Sequence, residues 1–255
     1  MDRQGKVALI VGGASGMGRV AARAWATQGG VAVAADIDEA GLRETAEGFE
    51  SIQTHTLDVT NRVEVESIVK SIETEVGPID RVYNGAGIQP TSLLLEQEPD
   101  EIARVMNVNY TGLVNVSLLT LPRMLERGGG ALVNFASIAG WVPNMHFGAY
   151  NASKFAAVAF TEVLYHENRG KGVSIVCVCP SKVDTPLLDQ ARSNPKILDT
   201  GPAAMSPEFV IEAVDRAVAK GKFWCFPGFH TAAGWRLRRI WPWLLWKIDH
   251  GAEGF

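Results

Sequence analysis

The chain has 255 residues, 47% hydrophobic and 20% charged, with 24 basic side chains against 28 acidic ones and a formal net charge of −4. At roughly 150 residues per domain this leaves one large domain or two small ones, and the usage is that of a globular protein, which excludes a disordered or fibrous chain. Nothing in the charge balance is a footprint for nucleic acid, so no such partner is expected.

Short apolar runs alternate with longer helix-like segments. A strand over 6–11 leads through glycines to a helix near 17–28, a strand over 31–36 to a helix near 39–49, and a strand over 52–58 to a helix near 62–76. Strands follow at 81–84, 131–137, 173–179 and 222–226, with helices near 100–126, 150–168 and 207–220 between them. Several of these strands are too apolar to keep a wet face, as for strands covered on both sides. Thr185-Pro186 and Ser206-Pro207 each set a capping residue before a proline at a first helical position. The alternation runs without repeat or linker and predicts an α/β fold: one doubly wound domain over 1–227, with a central parallel sheet of about seven strands and helices on both faces. Residues 228–255, where the pattern stops, are expected to belong to the same domain or to its oligomer interface.

No apolar stretch reaches the roughly 18 residues of a spanning helix. Asp2, Arg3 and Lys6 precede a run that ends at glycines too soon for a signal peptide. Cys177, Cys179 and Cys225 are odd in number and lack a spaced framework, so reduced core cysteines of a cytoplasmic protein are expected, with Cys177 and Cys179 on opposite strand faces. No zinc spacing is present, and no metal is expected.

Val11-Gly12-Gly13-Ala14-Ser15-Gly16-Met17-Gly18 follows the first strand and opens the first helix. Glycines there let backbone approach a pyrophosphate, and the helix N-terminus offers free N–H groups and a positive dipole end. A tight turn without a ligand would use the same glycines. Asp36 ends the second strand about 20 residues on, where an acid binds the ribose hydroxyls of NAD and would repel the 2′-phosphate of NADP. Asp38 is better placed than Asp36 to cap the next helix. No basic residue stands at Ser15 or Ile37 to receive that phosphate, although Arg19 lies close by.

With these residues and those that follow, the sequence resembles the short-chain dehydrogenases/reductases over residues 5 to about 226. Asp58-Val59 follows the third strand, where the family's acid contacts adenine. Asn84-Gly85-Ala86-Gly87 is similar to the family's N-N-A-G, and Asn109, in Val108-Asn109-Tyr110-Thr111-Gly112, to its catalytic asparagine. Ser137 matches the catalytic serine, Tyr150-Asn151-Ala152-Ser153-Lys154 the Y-x-x-x-K signature, and Pro180-Ser181-Lys182-Val183-Asp184-Thr185 the segment that closes over the nicotinamide. Val11, Gly85 and Ser181 depart from the family's usual threonine, asparagine and glycine. The resemblance implies a single Rossmann domain, NAD as cofactor, Asn109, Ser137, Tyr150 and Lys154 as the catalytic set, and a homo-oligomer, tetramer or dimer. It implies cofactor contacts from Gly12, Ser15, Gly16, Met17, Gly18, Asp36, Asp58, Val59, Asn84, Ala86, Gly87, Tyr150, Lys154, Pro180, Val183 and Thr185.

The chemistry follows from the side chains. Tyr150 and Lys154 share a helix face. A phenol of pKa about 10 is a poor base near neutrality, and a neighbouring ammonium is expected to lower that value. Tyr150 can then take the proton of an alcohol as hydride leaves, and return it in reduction. Ser137 would hydrogen-bond the substrate oxygen and polarise a carbonyl. By the resemblance, Lys154 would also hold the nicotinamide ribose, and Asn109 would support a water path from Lys154 to solvent. His166 is expected to be a surface or packing residue, and His146, in the loop before Tyr150, to lie in solvent, ranked ahead of a substrate contact.

The loops beyond the strands' carboxyl ends supply Gln89, Trp141, Met145, Phe147, Leu187 and Leu188 as expected substrate contacts, with Ile197 and Leu198 in the following segment. The set is apolar and suits a bulky hydrophobic secondary alcohol or ketone of steroid, terpenoid or aromatic type. Residues 235–248 carry four tryptophans and four basic side chains around Pro242. Three readings compete for them: a subunit contact, a flap over the pocket, or a peripheral membrane anchor, the first two ranked ahead. The expected activity is NAD-dependent alcohol dehydrogenation. An NADPH-dependent ketoreductase, including 3-oxoacyl thioester reduction, and a catalytically silent NAD-binding regulator are the alternatives.

Overall fold

The structure is a computed structural model and describes residues 3–190, 193, 195, 196, 198 and 203–254. Seven strands form one parallel sheet in the order β3-β2-β1-β4-β5-β6-β7. They are β1 (Val7–Val11), β2 (Val31–Asp36), β3 (Ile52–Thr56), β4 (Ile79–Asn84), β5 (Ala131–Phe135), β6 (Ser174–Val178) and β7 (Trp224–Cys225). The helices are α1 (Gly16–Thr27), α2 (Glu39–Ala46), α3 (Arg62–Glu75), α4 (Pro99–Met106), α5 (Leu113–Arg127), α6 (Gly148–Asn168), α7 (Pro207–Ala219), α8 (Phe229–Ile240) and α9 (Pro242–Glu253). The expected doubly wound sheet is present, with β1, β3, β5, β6 and β7 each shorter than the segment expected for it and β4 longer, beginning at Ile79.

Successive strand residues point to opposite faces, and the core divides accordingly. Val7, Leu9 and Val11 pack with α3, α5 and α6, whereas Ala8 and Ile10 pack with α1, α2 and α7. The small residues of β1 and β2 (Ala8, Ala32, Ala34) let α1 lie close, with Ala21, Ala22 and Trp25 against them. The same period corrects the reading of the cysteines. Residues two apart share a face, so Cys177 and Cys179 lie together in one core cluster, their sulfurs 3.8 Å apart.

The run 100–126 is helical throughout, as expected, but not uniformly α-helical. After α4 the chain takes a π-helical turn, Asn107–Gly112, before α5. The turn passes so close to the loop after β3 that a Cβ on Gly112 would lie 2.5 Å from Val59 Cγ2. Beyond the last strand, where the sequence carries no strand pattern, the chain forms α8 and α9, divided at Trp241-Pro242. Among the described residues no helix is long and apolar enough to cross a membrane.

One ion cluster ties the N-terminus, β4 and α7 together. Asp215 on α7 receives Arg3 Nη2 at 2.5 Å and Arg81 Nη1 at 2.6 Å, and Arg81 also donates to the Tyr83 hydroxyl at 2.9 Å. The guanidinium of Arg3 lies 4.2 Å from the centre of the Trp25 ring. Both arginines are buried while Asp215 keeps some contact with solvent. Removing the carboxylate strands two buried cations, so Asp215→Ala should cost about 3 kcal/mol, the low end for breaking a buried pair. Thermal denaturation checks this, and an unchanged melting temperature would refute it.

Candidate active site

At the end of β1 the chain turns back through Gly12, whose φ of +81° favours glycine. A Cβ there would lie 2.8 Å from the Ala86 amide nitrogen, and one on Gly18 would lie 1.9 Å from the Gly12 carbonyl oxygen. The turn is thus pressed against both the loop after β4 and the start of α1. Asp38, Asn61 and Ser206 cap α2, α3 and α7 with their side chains, whereas Ser15, the N-cap of α1, makes no such bond. The first-turn N–H groups of α1 keep their donor capacity toward the adjoining cavity.

That cavity, about 1030 Å³ with its mouth included, opens beyond the carboxyl ends of β1, β2 and β4. Gly12, Ser15, Gly16, Met17 and Gly18 form one wall, Asp36, Asp58 and Val59 another, and Ala86 and Gly87 its floor toward β4. Asp36 accepts from the Ala14 amide at 3.2 Å and leaves the capping of α2 to Asp38. Arg19 is turned away: it donates to the Ala14 carbonyl at 2.5 Å and pairs with Glu44 at 2.8 Å.

The cavity continues past Met17, Gly87, Phe135 and Thr185 into a second one of about 920 Å³. Ser137, Tyr150 and Lys154 share its wall with Gln89, Phe147, Pro180, Val183, Leu187 and Leu188. Ser137 caps the short 3₁₀ turn Ile138–Gly140 by accepting from Ala139 N at 3.1 Å. Tyr150 and Lys154 project from the first turns of α6. Lys154 Nζ donates to the Phe135 carbonyl at 2.9 Å and sits 5.6 Å from the centre of the Tyr150 ring. Thr185 lies over the glycine turn, close enough that a Cβ on Gly16 would meet its methyl at 2.9 Å. The segment after it is tied across the cleft: Gln89 N donates to Gln190 Oε1 at 2.9 Å, and Ser193 N to the Thr91 carbonyl at 3.2 Å.

The electrostatics differ from the expected lowering of the tyrosine. Burial pushes Tyr150 up to about 12, opposed by the Ser137 hydroxyl, and pushes Lys154 down to about 8. Desolvation disfavours the charged form of each group.

Several expected site residues stand elsewhere. Asn84 is buried beneath the cavity, donating to the Leu113 carbonyl at 2.9 Å and to Asn134 Oδ1 at 3.1 Å, and it does not line the cavity. Asn109, in the π-helical turn, clamps Ile88 through both backbone groups, accepting from N at 2.8 Å and donating to O at 2.9 Å. It also donates to Ser153 Oγ at 3.0 Å and makes no direct bond to Lys154. Trp141 turns from the cleft into an aromatic cluster with Trp224, Phe226 and Trp235. Met145 likewise stays outside the cavity, its amide held by Asp249 at 2.9 Å. His146 is not in solvent: it is largely covered, with Nε2 3.6 Å from Glu253. His166 is exposed, the surface member of its two expected roles. Ile197 lies outside the described residues.

Phe135, Asn144, Lys182 and Arg104 line the cavities without having been expected there. Phe135 was within reach of the strand period, since it stands two residues before Ser137 and faces the same way. It also fills the space at Gly85, where a Cβ would meet its ring at 3.5 Å. Lys182, inside the matched Pro180–Thr185 segment, donates to the Leu198 carbonyl at 2.6 Å. Arg104 carries no local signal.

A family model described as short chain dehydrogenase matches residues 6–196. The 3-oxoacyl-[acyl-carrier-protein] reductase FabG of Thermotoga maritima is 31% identical over 194 residues, 74% of this chain and 79% of the relative. The 2-dehydro-3-deoxy-L-rhamnonate dehydrogenase (NAD(+)) of Sphingomonas sp. is 33% identical over 187 residues, 73% of this chain and 75% of the relative. Among solved structures, a short-chain dehydrogenase/reductase from Burkholderia phymatum in complex with NAD is similar with a TM-score of 0.85 and 28% identity, covering 96% of each chain. With its parallel sheet, glycine turn and joined cavities, the chain belongs to the short-chain dehydrogenase family.

Proposed function

We propose that this oxidoreductase transfers hydride between NAD(H) and a bulky, apolar secondary alcohol or ketone of steroid, terpenoid or aromatic type. The observation that carries the reading is the continuity of the two cavities: the hydroxyls of Ser137 and Tyr150 stand in the one that opens directly from the glycine turn. The residues present fit a nicotinamide dinucleotide. The side-chain-uncapped start of α1 suits a pyrophosphate, Asp36 the ribose hydroxyls, Asp58 and Val59 the adenine, and Lys154 the nicotinamide ribose. When bound, the nicotinamide accepts or supplies the hydride.

The chain's own groups handle the proton. Ser137 holds the substrate oxygen by a hydrogen bond, and Tyr150 gives the proton to that oxygen in reduction or takes it in oxidation. Asn109 acts as a positioning residue, fixing the Ile88 backbone at the join of the cavities. Phe147, Leu187, Leu188 and Leu198 make the substrate end apolar. The catalytic unit is residues 1–227, and cytoplasmic placement and homo-oligomeric assembly are part of the same reading.

The relative named as a 3-oxoacyl-[acyl-carrier-protein] reductase favours a second reading, an NADPH-dependent ketoreductase. Against it stand the Asp36 carboxylate on the cavity wall and the engagement of Arg19 by Ala14 and Glu44. Steady-state kinetics with both cofactors decides between them: kcat/KM should be higher with NAD, and equal or higher efficiency with NADP would overturn the choice.

Tyr150→Phe removes the hydroxyl and keeps the ring, so turnover should fall by about 10²-fold or more, with NAD affinity, read by fluorescence titration, nearly unchanged. Lys154→Ala should damage both. A Tyr150→Phe variant that keeps most of its rate would refute the proton assignment.

The pH dependence has a definite sign. A tyrosine at about 12 is protonated near neutrality and ready to act as an acid, while oxidation needs its conjugate base. Initial rates should therefore show kcat/KM for oxidation rising with pH through the alkaline range, and ketone reduction should not share that rise. Flat oxidation kinetics across neutral and alkaline pH would contradict this.

A further inference from the structure

The two helices after Gly228 have an inner and an outer face of opposite chemistry. On the inner face Trp235 stacks on Phe226, with ring centres 5.1 Å apart, Asp249 holds Met145 N, and Glu253 faces His146. Asp249 and Glu253 are the only acids in the two helices, and both are buried. Arg236, Arg239 and Lys247 are exposed and no acid of the described residues pairs with them; the guanidinium groups of Arg236 and Arg239 flank the Trp235 ring, 5.8 and 5.9 Å from its centre, and keep their other side in the open. Beside these cations Ile240, Trp241 and Trp243 are 64%, 52% and 62% exposed, and Trp246 and Ile248 are also in the open. Of the four indoles between 235 and 248, the chain covers Trp235 and leaves three uncovered.

We propose that this face binds an anionic lipid surface, lying in its interface. Charge complementarity selects that occupant. In a chain of net charge −4, the acids of α8 and α9 turn inward and every fixed charge on the outer face is positive. Indole and guanidinium are the side chains that hold a helix at a lipid headgroup layer. Each helix has 12 residues, about 18 Å long and too short to cross a bilayer. Trp241 and Pro242 mark the break between them, and the exposed Ile240, Trp241 and Trp243 adjoin that break.

A second copy of the chain fits less well. In a twofold contact the patch meets itself, which would set Arg236, Arg239 and Lys247 against the same row of cations. The flap reading fails on geometry, because no described residue of α8 or α9 lines the cavity that holds Tyr150. The helices nonetheless hold the outer side of the loop that carries Asn144 and Phe147 into that cavity. The proposal does not rest on the substrate assignment.

The test is co-sedimentation of the full-length protein with vesicles of equal parts phosphatidylglycerol and phosphatidylcholine, and with vesicles of phosphatidylcholine alone. Binding to the anionic vesicles should exceed binding to the neutral ones and weaken as salt is added. Arg239→Gln and Lys247→Gln should each weaken it roughly fivefold, and joint replacement of Trp241, Trp243 and Trp246 by Ala should abolish it. All variants should keep the parent's melting temperature and its size by light scattering. Equal affinity for both vesicle types, no vesicle binding, or a change of oligomer size in the tryptophan variant would each overturn the assignment, the last in favour of a subunit contact.

Discussion

The order of the sheet reverses at β1. From there the chain winds to β2 and β3 on one side and to β4 through β7 on the other, so the connections that leave β1 and β4 diverge and open a crevice beyond the ends of these two strands. The site depends on this gap. It lets the glycine turn press against the loop after β4, where a single added methyl would collide with backbone at 2.8 Å. It also brings the start of α1, the carboxylate of Asp36 and the first turns of α6 around one continuous space. The short strands and the small residues on β1 and β2 serve that approach.

Burial sets the chemistry inside this space. Tyr150 and Lys154 are both shut from water and both pushed toward their neutral forms, to about 12 and about 8. In this state the phenol is an acid, with the lysine held by a strand carbonyl. A cationic group arriving beside the phenol would favour its phenolate, while like-charge repulsion would hold the lysine toward its neutral form. The protonation of Tyr150 thus depends on what lies next to it.

Much of this was legible in the sequence because it is local. Alternating apolar residues reported the strands, glycines at fixed spacing reported the turn, and the four-residue interval of Tyr150 and Lys154 reported their shared face. What was misread depends on distant packing. Asn84 ends β4, and its side chain follows the strand period into the interior, to Asn134 and Leu113, while its neighbours Ala86 and Gly87 reach the cavity. Trp141 and Met145 belong to a loop whose orientation is set by Trp224, Phe226 and α9, more than eighty residues away in sequence. The π-helical turn at 107–112 answers the close crossing of Gly112 over Val59, a contact that no helical periodicity encodes. Asn109 owes its grip on Ile88 to that turn.

The central claim is that a substrate held by Ser137 and Tyr150 exchanges hydride directly with a nicotinamide seated at the glycine turn. The most direct measurement follows deuterium from the carbinol carbon of an apolar secondary alcohol during turnover with NAD. The account predicts that the label appears in the NADH formed, with none lost to solvent. Turnover that releases the label to water, or produces NADH without it, would contradict the account.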